Sequence, residues 1–309
     1  MTDESSLIRL KEHFLAQQKL PPSYWSIAQK WFIPMFEQLA SHQIDTNAPI
    51  LIGVNGAQGS GKSTVTELMV AFFNDVAGIP TIGFSIDDFY LSKSKREALA
   101  TSVNPLLATR GVPGTHDTDL LDKVLEDLKA GKDCTIPRFD KSIDDLFPTA
   151  NWIKVVDKEY KIIILEGWCV GSRAVDDKTL NDNPNNLEQT KDTDLSWRKY
   201  VNAQLSQHYA PIFARLDKLI MLKAPSFSCV YKWRLEQEHK MRSSIISAVS
   251  SSSEQQVPQT KIGMSDEEIH NFIQYYQRIT EENLRQLPSA CDYVFELDEQ
   301  RNIFNCDTL

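Results

Sequence analysis

No two of the five cysteines, Cys134, Cys169, Cys229, Cys291 and Cys306, form a C-x-x-C pair. That spacing excludes zinc-ribbon and thioredoxin-like readings. An odd cysteine count, with no apolar leader stretch in residues 1–11, points to a reducing compartment, the cytoplasm. Nowhere do about 18 apolar residues run together, so no membrane-spanning helix is predicted. Nor is there a surplus of positive charge: 33 Lys and Arg face 42 Asp and Glu, a net charge of −9. This disfavours a general binder of nucleic acid or of anionic membranes, but leaves room for a local basic pocket. No internal repeat is visible. With 41% hydrophobic residues over 309 positions, the chain can bury a core without disulfide or metal staples.

Residues 1–48 are aromatic-rich. Tyr24, Trp25, Ile27, Trp31, Phe32 and Phe36 recur at roughly helical spacing, which predicts a helical N-terminal cap. Residues 49–55 read as a buried strand. A glycine-rich turn follows, and then Val65, Leu68, Met69, Phe72, Phe73 and Val76 mark one face of a helix that Gly78 and Pro80 close. Residues 81–86 form the next strand. Strand, helix, strand in this order is a parallel βαβ unit.

Further along, Asp117 or Thr118 can cap a helix that buries Leu121, Val124, Leu125 and Leu128 and ends at Gly131. Residues 161–165 and 218–223 are apolar strands. Between them, residues 176–194 are rich in Asn and Asp and read as a surface insertion of the mobile kind. Residues 231–242 look helical, and periodicity is lost over 243–261. Ser265 with Glu268 makes a capping box for a helix reaching about Leu287. Residues 292–297 and 303–304 suggest a closing hairpin.

The turn after the first strand, Gly56, Ala57, Gln58, Gly59, Ser60, Gly61, Lys62 and Ser63, matches G-x-x-x-x-G-K-[ST]. Backbone N–H groups must approach phosphate oxygens closely here, and side chains at the glycines would block them. The helix starting near Lys62 turns its positive end to the phosphates. Lys62 can reach the β- and γ-phosphates, and Ser63 can sit on Mg²⁺. Chance gives this pattern in roughly one chain in a hundred of this length, and the flanking strand and amphipathic helix are both present. Residues 56–64, through Thr64, are therefore the candidate nucleotide site, with ATP and Mg²⁺ as cofactors.

Two acids meet the remaining demands of phosphoryl transfer. Glu166 ends an apolar strand, where a metal-side carboxylate is needed. Asp87 stands at the C-terminal end of strand 81–86, and in open parallel sheets that end faces the ligand crevice. It is the candidate base for an acceptor hydroxyl. Strand alternation would turn Asp88 away from it. Asp87 also reads as a helix cap or Asx turn.

Several segments together resemble a known family. Asp87-Asp88-Phe89-Tyr90 is similar to the D-x-F-Y element of the uridine kinase, phosphoribulokinase and pantothenate kinase group. Residues 110–117, RGVPGTHD, resemble a segment of plant-type D-glycerate 3-kinases and their kinase-like relatives in bacteria and fungi. So do residues 136–142, IPRFDKS, with Phe139 where Tyr is usual. Glu166-Gly167-Trp168, residues 233–238 (WRLEQE) and residues 263–266 (GMSD) resemble further elements of that family. The likeness spans roughly residues 49–287.

The resemblance implies an α/β P-loop NTPase fold, a parallel sheet flanked by helices. It implies Lys62 and Asp87 as catalytic residues and Glu166 beside the metal. Tyr90, His116, Arg110, Arg138 and Lys141 would line an acceptor pocket whose cations suit a carboxylate, although Arg110 and Arg138 also read as surface ion pairs. A lid over residues 228–265 would offer Arg234 or Arg242 to the transferred phosphoryl group, and either also reads as part of a solvated charged face. The chain then divides into a helical extension, 1–48, and a kinase domain, 49–309, with an insertion at 174–196. The expected reaction moves the γ-phosphoryl group of ATP to a small hydroxy acid, most simply D-glycerate. A pantothenate- or nucleoside-type kinase and an ATP-binding regulator with little turnover remain as alternatives. Neither nucleic acid nor membrane is an expected partner.

Overall fold

The computed structural model describes residues 4–46, 48–251 and 263–308. Its centre is a six-stranded sheet. The strands are β1 (Ile50–Gly56), β2 (Thr81–Ser85), β7 (Ile162–Gly167), β8 (Lys218–Lys223), β9 (Tyr293–Leu297) and β10 (Ile303–Thr308), in the order β10-β9-β8-β1-β7-β2. Five strands are parallel, and β10 closes one edge as an antiparallel hairpin with β9. Two small antiparallel pairs lie apart from it: β3 (Cys134–Ile136) with β6 (Ile153–Val155), and β4 (Phe139–Asp140) with β5 (Asp145–Leu146).

β1 is buried along its whole length because it has parallel neighbours on both sides. A strand paired on both edges and buried along its length is mostly apolar, as Ile50, Leu51, Ile52 and Val54 are, and its one buried polar side chain, Asn55, is hydrogen-bonded. β7 follows the same rule through Ile162, Ile163, Ile164 and Leu165. This is the α/β architecture expected from the sequence. The second strand stops at Ser85, one residue earlier than expected. The Ser85 hydroxyl accepts the Asp87 N–H at 3.2 Å and turns the chain into a short 3₁₀ helix, Ile86–Phe89.

The N-terminal segment folds as α1 (Glu4–Gln18), α2 (Pro22–Ile27) and α3 (Ile33–Thr46), with a π turn between α2 and α3. Its aromatic side chains join the main core. Phe32 meets Phe295 of β9 edge-on at 5.1 Å, and Phe36 packs on Phe72 and Phe73 at 5.4 and 5.9 Å. Those last two follow α4 (Lys62–Ala71). Beyond the sheet's first half come α5 (Lys93–Ser102) and α6 (Thr118–Lys129), the latter capped by Asp117 through the Leu120 N–H.

The polar stretch 176–194 departs from expectation. Most of it is exposed, but it contains α7 (Asn186–Lys191), and Glu188 and Asp192 are fully buried. Arg198, in α8 (Ser196–Gln204) and 2% exposed, is the reason. Its guanidinium holds the Asp192 carboxylate at 2.7 Å, the carbonyls of Leu180, Glu188 and Asp192, and the Asn183 side chain at 2.6 Å. Arg278 of α11 (Asp266–Gln286) clasps Glu188 from the other side. The segment is anchored by Arg198 and Arg278 together with only two buried leucines, Leu180 and Leu187, so hydrophobic patterning gives little sign of it.

After α9 (Ala210–Phe213) and β8, α10 runs over Phe227–Ser251. It continues past residue 242, where periodicity was expected to end. The rest of that stretch, 252–262, lies outside the described residues. The Ser265–Glu268 capping box opens α11 as expected.

Removing one partner of a buried ion pair strands the other, at a cost of about 3–5 kcal/mol. Arg198→Ala is therefore expected to lower stability by about that amount in urea denaturation and to open residues 176–194 to limited proteolysis. A segment no more cleavable than in wild type would show that Arg198 does not anchor it.

Candidate active site

The C-terminal ends of β1, β2 and β7 deliver their next residues to one place. After β1, the loop 56–61 turns into α4 at Gly61, whose φ is +92°. Gly59 also has positive φ, +78°, and a Cβ there would stand 2.7 Å from the Cβ of Trp233. Only glycine lets the loop and α10 approach so closely. Trp233 is 1% exposed and its indole N–H donates to the Glu299 carbonyl in the β9–β10 turn at 2.8 Å.

Cys229 and Val230 are buried beside Trp233. The lid expected over 228–265 therefore begins as part of the core, because Trp233 must back the glycine loop. Arg234 pairs with the buried carboxylate of Glu238 at 2.7 Å. Glu238 also accepts the Met264 N–H at 2.8 Å, tying α10 to the start of α11. Arg242 lies at that junction too, 3.8 Å from Asp266, so each candidate lid arginine has an acidic partner.

Glu166 ends β7 next to the loop. Ser63 Oγ donates to Glu166 Oε1 at 3.0 Å, and Lys62 Nζ lies 3.9 Å from Oε2. Oε2 is buried and has no hydrogen bond among the described residues. A serine hydroxyl and an under-used carboxylate oxygen are the hard donors a Mg²⁺ ion takes, and Mg²⁺ fills its other positions with water and phosphate. The donor set fits a nucleotide-bound Mg²⁺.

Asp87 projects from the 3₁₀ turn after β2. Lys141 Nζ donates to its Oδ2 at 2.6 Å and the Tyr90 hydroxyl to its Oδ1 at 2.8 Å. Burial by itself pushes the Asp87 carboxyl up. The charges of Lys141 and Lys62 and these two hydrogen bonds outweigh it and hold the group below the usual carboxylate range. The Lys141 ammonium is raised in turn, chiefly by Asp87. Tyr90, buried beside the Asp87 charge, is pushed well above the usual phenol range and stays a donor.

Asp88 takes partners other than those of Asp87, set by the 3₁₀ turn and not by strand alternation. It accepts the Phe139 N–H at 3.2 Å and faces Arg138 at 3.8 Å. His116 stacks on Tyr90, ring centres 4.5 Å apart, and its Nδ1 shares a 2.7 Å hydrogen bond with Tyr209. Burial pulls its pKa down to about 4, against a smaller upward pull from Asp87.

The sequence left Arg110 and Arg138 open between an acceptor pocket and surface ion pairs. In the structure each expected pocket cation has a carboxylate partner: Arg138 with Asp88, Lys141 with Asp87, and Arg110 with Asp144, which it shares with Arg96. The hairpin β4–β5 supplies both Lys141 and Asp144, which sequence spacing cannot place. Tyr276 and Trp168 were also missed as neighbours. The Tyr276 hydroxyl donates to the Arg110 carbonyl and the Trp168 indole to the Gly111 carbonyl, each at 3.1 Å. Arg96 carries no signal at all: it sits in the polar run KSKREALATS yet is 0% exposed.

Comparison with known proteins places these features. The profile of the Phosphoribulokinase / Uridine kinase family matches residues 51–182. An uncharacterised kinase of Schizosaccharomyces pombe is 34% identical over 237 residues, 74% of this chain and 78% of that protein. Chloroplastic D-glycerate 3-kinase of Arabidopsis thaliana is 28% identical over 299 residues, 88% of this chain, which spans 59% of the plant protein's length. Among solved structures, a D-glycerate 3-kinase from Cryptococcus neoformans superposes with a TM-score of 0.69 at 23% identity, over 89% of this chain and 99% of the other. That likeness establishes the fold.

The depressed His116 pKa carries a stability consequence. In the unfolded chain the ring takes its proton near pH 6.5, in the folded chain only near pH 4. Below pH 6.5 the unfolded state binds the extra proton, so stability falls as pH drops from 6.5 toward 4, by about 3 kcal/mol in all. Above pH 6.5 the group contributes no slope. Urea midpoints across this range should fall less steeply for His116→Asn than for wild type. Parallel slopes would mean that His116 is not buried neutral.

Proposed function

Because the chain belongs to the phosphoribulokinase/uridine kinase family and is an ATP-dependent P-loop kinase, we propose that it phosphorylates a hydroxyl of a small carboxylate-bearing metabolite, D-glycerate first, to give 3-phosphoglycerate. Asp87 is the observation that carries this. An ionised carboxylate stands in the same cleft as Lys62, Ser63 and Glu166 and has a cationic wall of Lys141 and Arg110 nearby. A regulator without turnover has no use for such a group.

Each residue then has a task. The amides of residues 56–61 and the Lys62 ammonium neutralise phosphate charge, and α4 adds its positive end. Ser63 and Glu166 would hold Mg²⁺, which would offset phosphate charge when bound. Asp87 accepts the acceptor's O–H. Both its oxygens already take a hydrogen bond, but a carboxylate has about four lone-pair sites, so a third donor fits. Its low basicity means that it orients the hydroxyl first and takes the proton only as the new O–P bond forms. Lys141 steadies Asp87 and contributes to the acceptor's electrostatic surroundings.

For the acceptor, support comes from Arg110, the most sheltered of the three cations, with a side chain 23% exposed against 48% for Arg138 and 60% for Lys141. The relative from Arabidopsis is named for D-glycerate. Glycerate joins a hydroxyl for Asp87 to a carboxylate for a guanidinium in one small molecule. Of the two lid arginines, we assign Arg234 to the transferred group, because it follows Trp233, which packs on the glycine loop.

Lys62→Ala should cripple ATP turnover, since it removes the one mobile positive charge on the loop. Asp87→Asn should leave ATP affinity intact and slow transfer about 10²–10⁴-fold. Wild-type transfer in that variant would remove Asp87 from the mechanism. An ADP-release assay over D-glycerate, glycerol, pantothenate and nucleosides tests the acceptor. Stimulation by D-glycerate but not by glycerol is the expected result. Pantothenate alone as the active acid would end the glycerate reading, and a nucleoside alone would end the carboxylate reading.

A further inference from the structure

Arg96 and Asp144 lie behind the acceptor wall, and neither belongs to the residues assigned above. Arg96 is fully buried in α5 and uses its whole guanidinium. Nε donates to the Leu91 carbonyl at 3.2 Å, Nη1 to the Ala108 carbonyl at 2.7 Å and Nη2 to the Asp144 carbonyl at 2.7 Å. Nη2 also stands 3.0 Å from Asp144 Oδ2. The other carboxylate oxygen, Oδ1, accepts from Arg110 Nη1. Asp144 thus bridges two guanidiniums, one immobile and one facing the cleft.

We propose that Arg96 and Asp144 are positioning residues that fix the Arg110 guanidinium for an anionic acceptor. This rests on the functional reading given above and adds to it what sets the anion subsite. The charge count favours it: two arginines share one carboxylate, which leaves one positive charge uncompensated at the wall. The geometry favours it too. Asp144 occupies Nη1 of Arg110, so the rest of the fork stays available for the planar, two-pronged contact that a carboxylate makes.

Arg110 is held elsewhere as well. Its backbone carbonyl takes the Tyr276 hydroxyl at 3.1 Å, and its guanidinium carbon lies 5.5 Å from the Phe139 ring centre. Among the described residues, Asp144 supplies the guanidinium's hydrogen bond and so sets the rotation of the fork. Asp144 itself has φ of +58°, a left-handed conformation at the hairpin tip that Asp and Asn tolerate best. Its neighbour Asp145 caps the Lys93 N–H at 3.1 Å, which seats the hairpin on the first turn of α5. A side chain ordered before the ligand arrives loses less entropy on binding, which is the physical gain of such a relay.

The test is a double-mutant cycle on Asp144 and Arg110. Asp144→Asn keeps the shape and the left-handed backbone and removes the charge, so the fold is expected to survive it. With D-glycerate as acceptor, Asp144→Asn should raise the acceptor KM about tenfold, within the range of coupling between contacting residues, and leave the KM for ATP unchanged. In an Arg110→Ala background the same change should have no further effect on acceptor KM, because Asp144 acts through Arg110. Effects that multiply independently, or that fall equally on both substrates, would overturn the relay. A lowered acceptor KM would also overturn it, by showing that Asp144 competes with the acceptor.

A second readout needs no acceptor. In ¹⁵N-arginine NMR spectra, the Nε–H signal identified by its loss in Arg110→Lys should be sharp in the wild-type protein and broadened by exchange in Asp144→Asn. An unchanged signal would refute the positioning role. If no hydroxy acid is turned over while the signal behaves as expected, the relay stands and the glycerate reading falls.

Discussion

The parallel pairing of β1 with β7 is the constraint on which the cleft depends. Its register sets Val54 opposite Glu166 and Asn55 opposite Gly167. The loop that leaves β1 and the acid that ends β7 therefore emerge side by side, and Ser63 meets Glu166 at 3.0 Å without any long-range adjustment. β2 pairs with β7 on its other side, Ser85 opposite Glu166, which brings the turn bearing Asp87 to the same level. Asn55 secures the arrangement from within: its side-chain amide donates to the carbonyls of Trp168 and Val170 at 3.1 and 2.8 Å. A slip of one residue in this register would turn every side chain of the strand to the other face and separate the acid from the loop.

Electrostatics in the cleft is organised by carboxylates that the chain itself provides. Lys141 and Arg138 each have an acidic partner, and Arg110 shares Asp144 with Arg96, so part of the burial cost of each is offset before any ligand arrives. The balance of these pairs still differs from site to site. Asp87 is kept ionised by two lysines and a tyrosine, which suits a group that must accept a hydrogen bond at neutral pH. Asp88, one residue on, is raised by burial despite the Phe139 amide and Arg138, which suits a group that holds backbone in place. Adjacent identical residues thus take opposite roles because the 3₁₀ turn faces them into different surroundings.

Two further elements hold the nucleotide side and the acceptor side in register with each other. Trp233 wedges α10 against Gly59 and reaches the β9–β10 turn, so the glycine loop is backed by core. Tyr276 of α11 reaches the Arg110 backbone, and Asn283 on the same helix donates to the Trp168 carbonyl at 3.3 Å. Glu238 links the two helices through Met264. The C-terminal third of the chain is in this way a brace for residues contributed by the first half.

The sequence by itself determined the elements whose signal is local. Apolar runs set β1, β7 and β8, helical periodicity set α4, and the serine–glutamate box set the start of α11. The glycine loop carries the consecutive pattern that phosphate binding demands, and Asp87 and Glu166 became candidates from their expected places at strand ends. Only the tertiary structure decided which charges meet. Arg96 and Arg198 sit in polar stretches that read as solvent-facing, and each is buried because distant carbonyls and carboxylates surround it. Asp144, the partner of Arg110, and Lys141, the partner of Asp87, both come from a short hairpin with little strand signal of its own, and they meet those residues across 34 and 54 positions of sequence. Hydrophobic burial follows a period that the chain displays along its length. A buried ion pair depends on two side chains meeting at angstrom range, and nothing short of the folded backbone sets that distance.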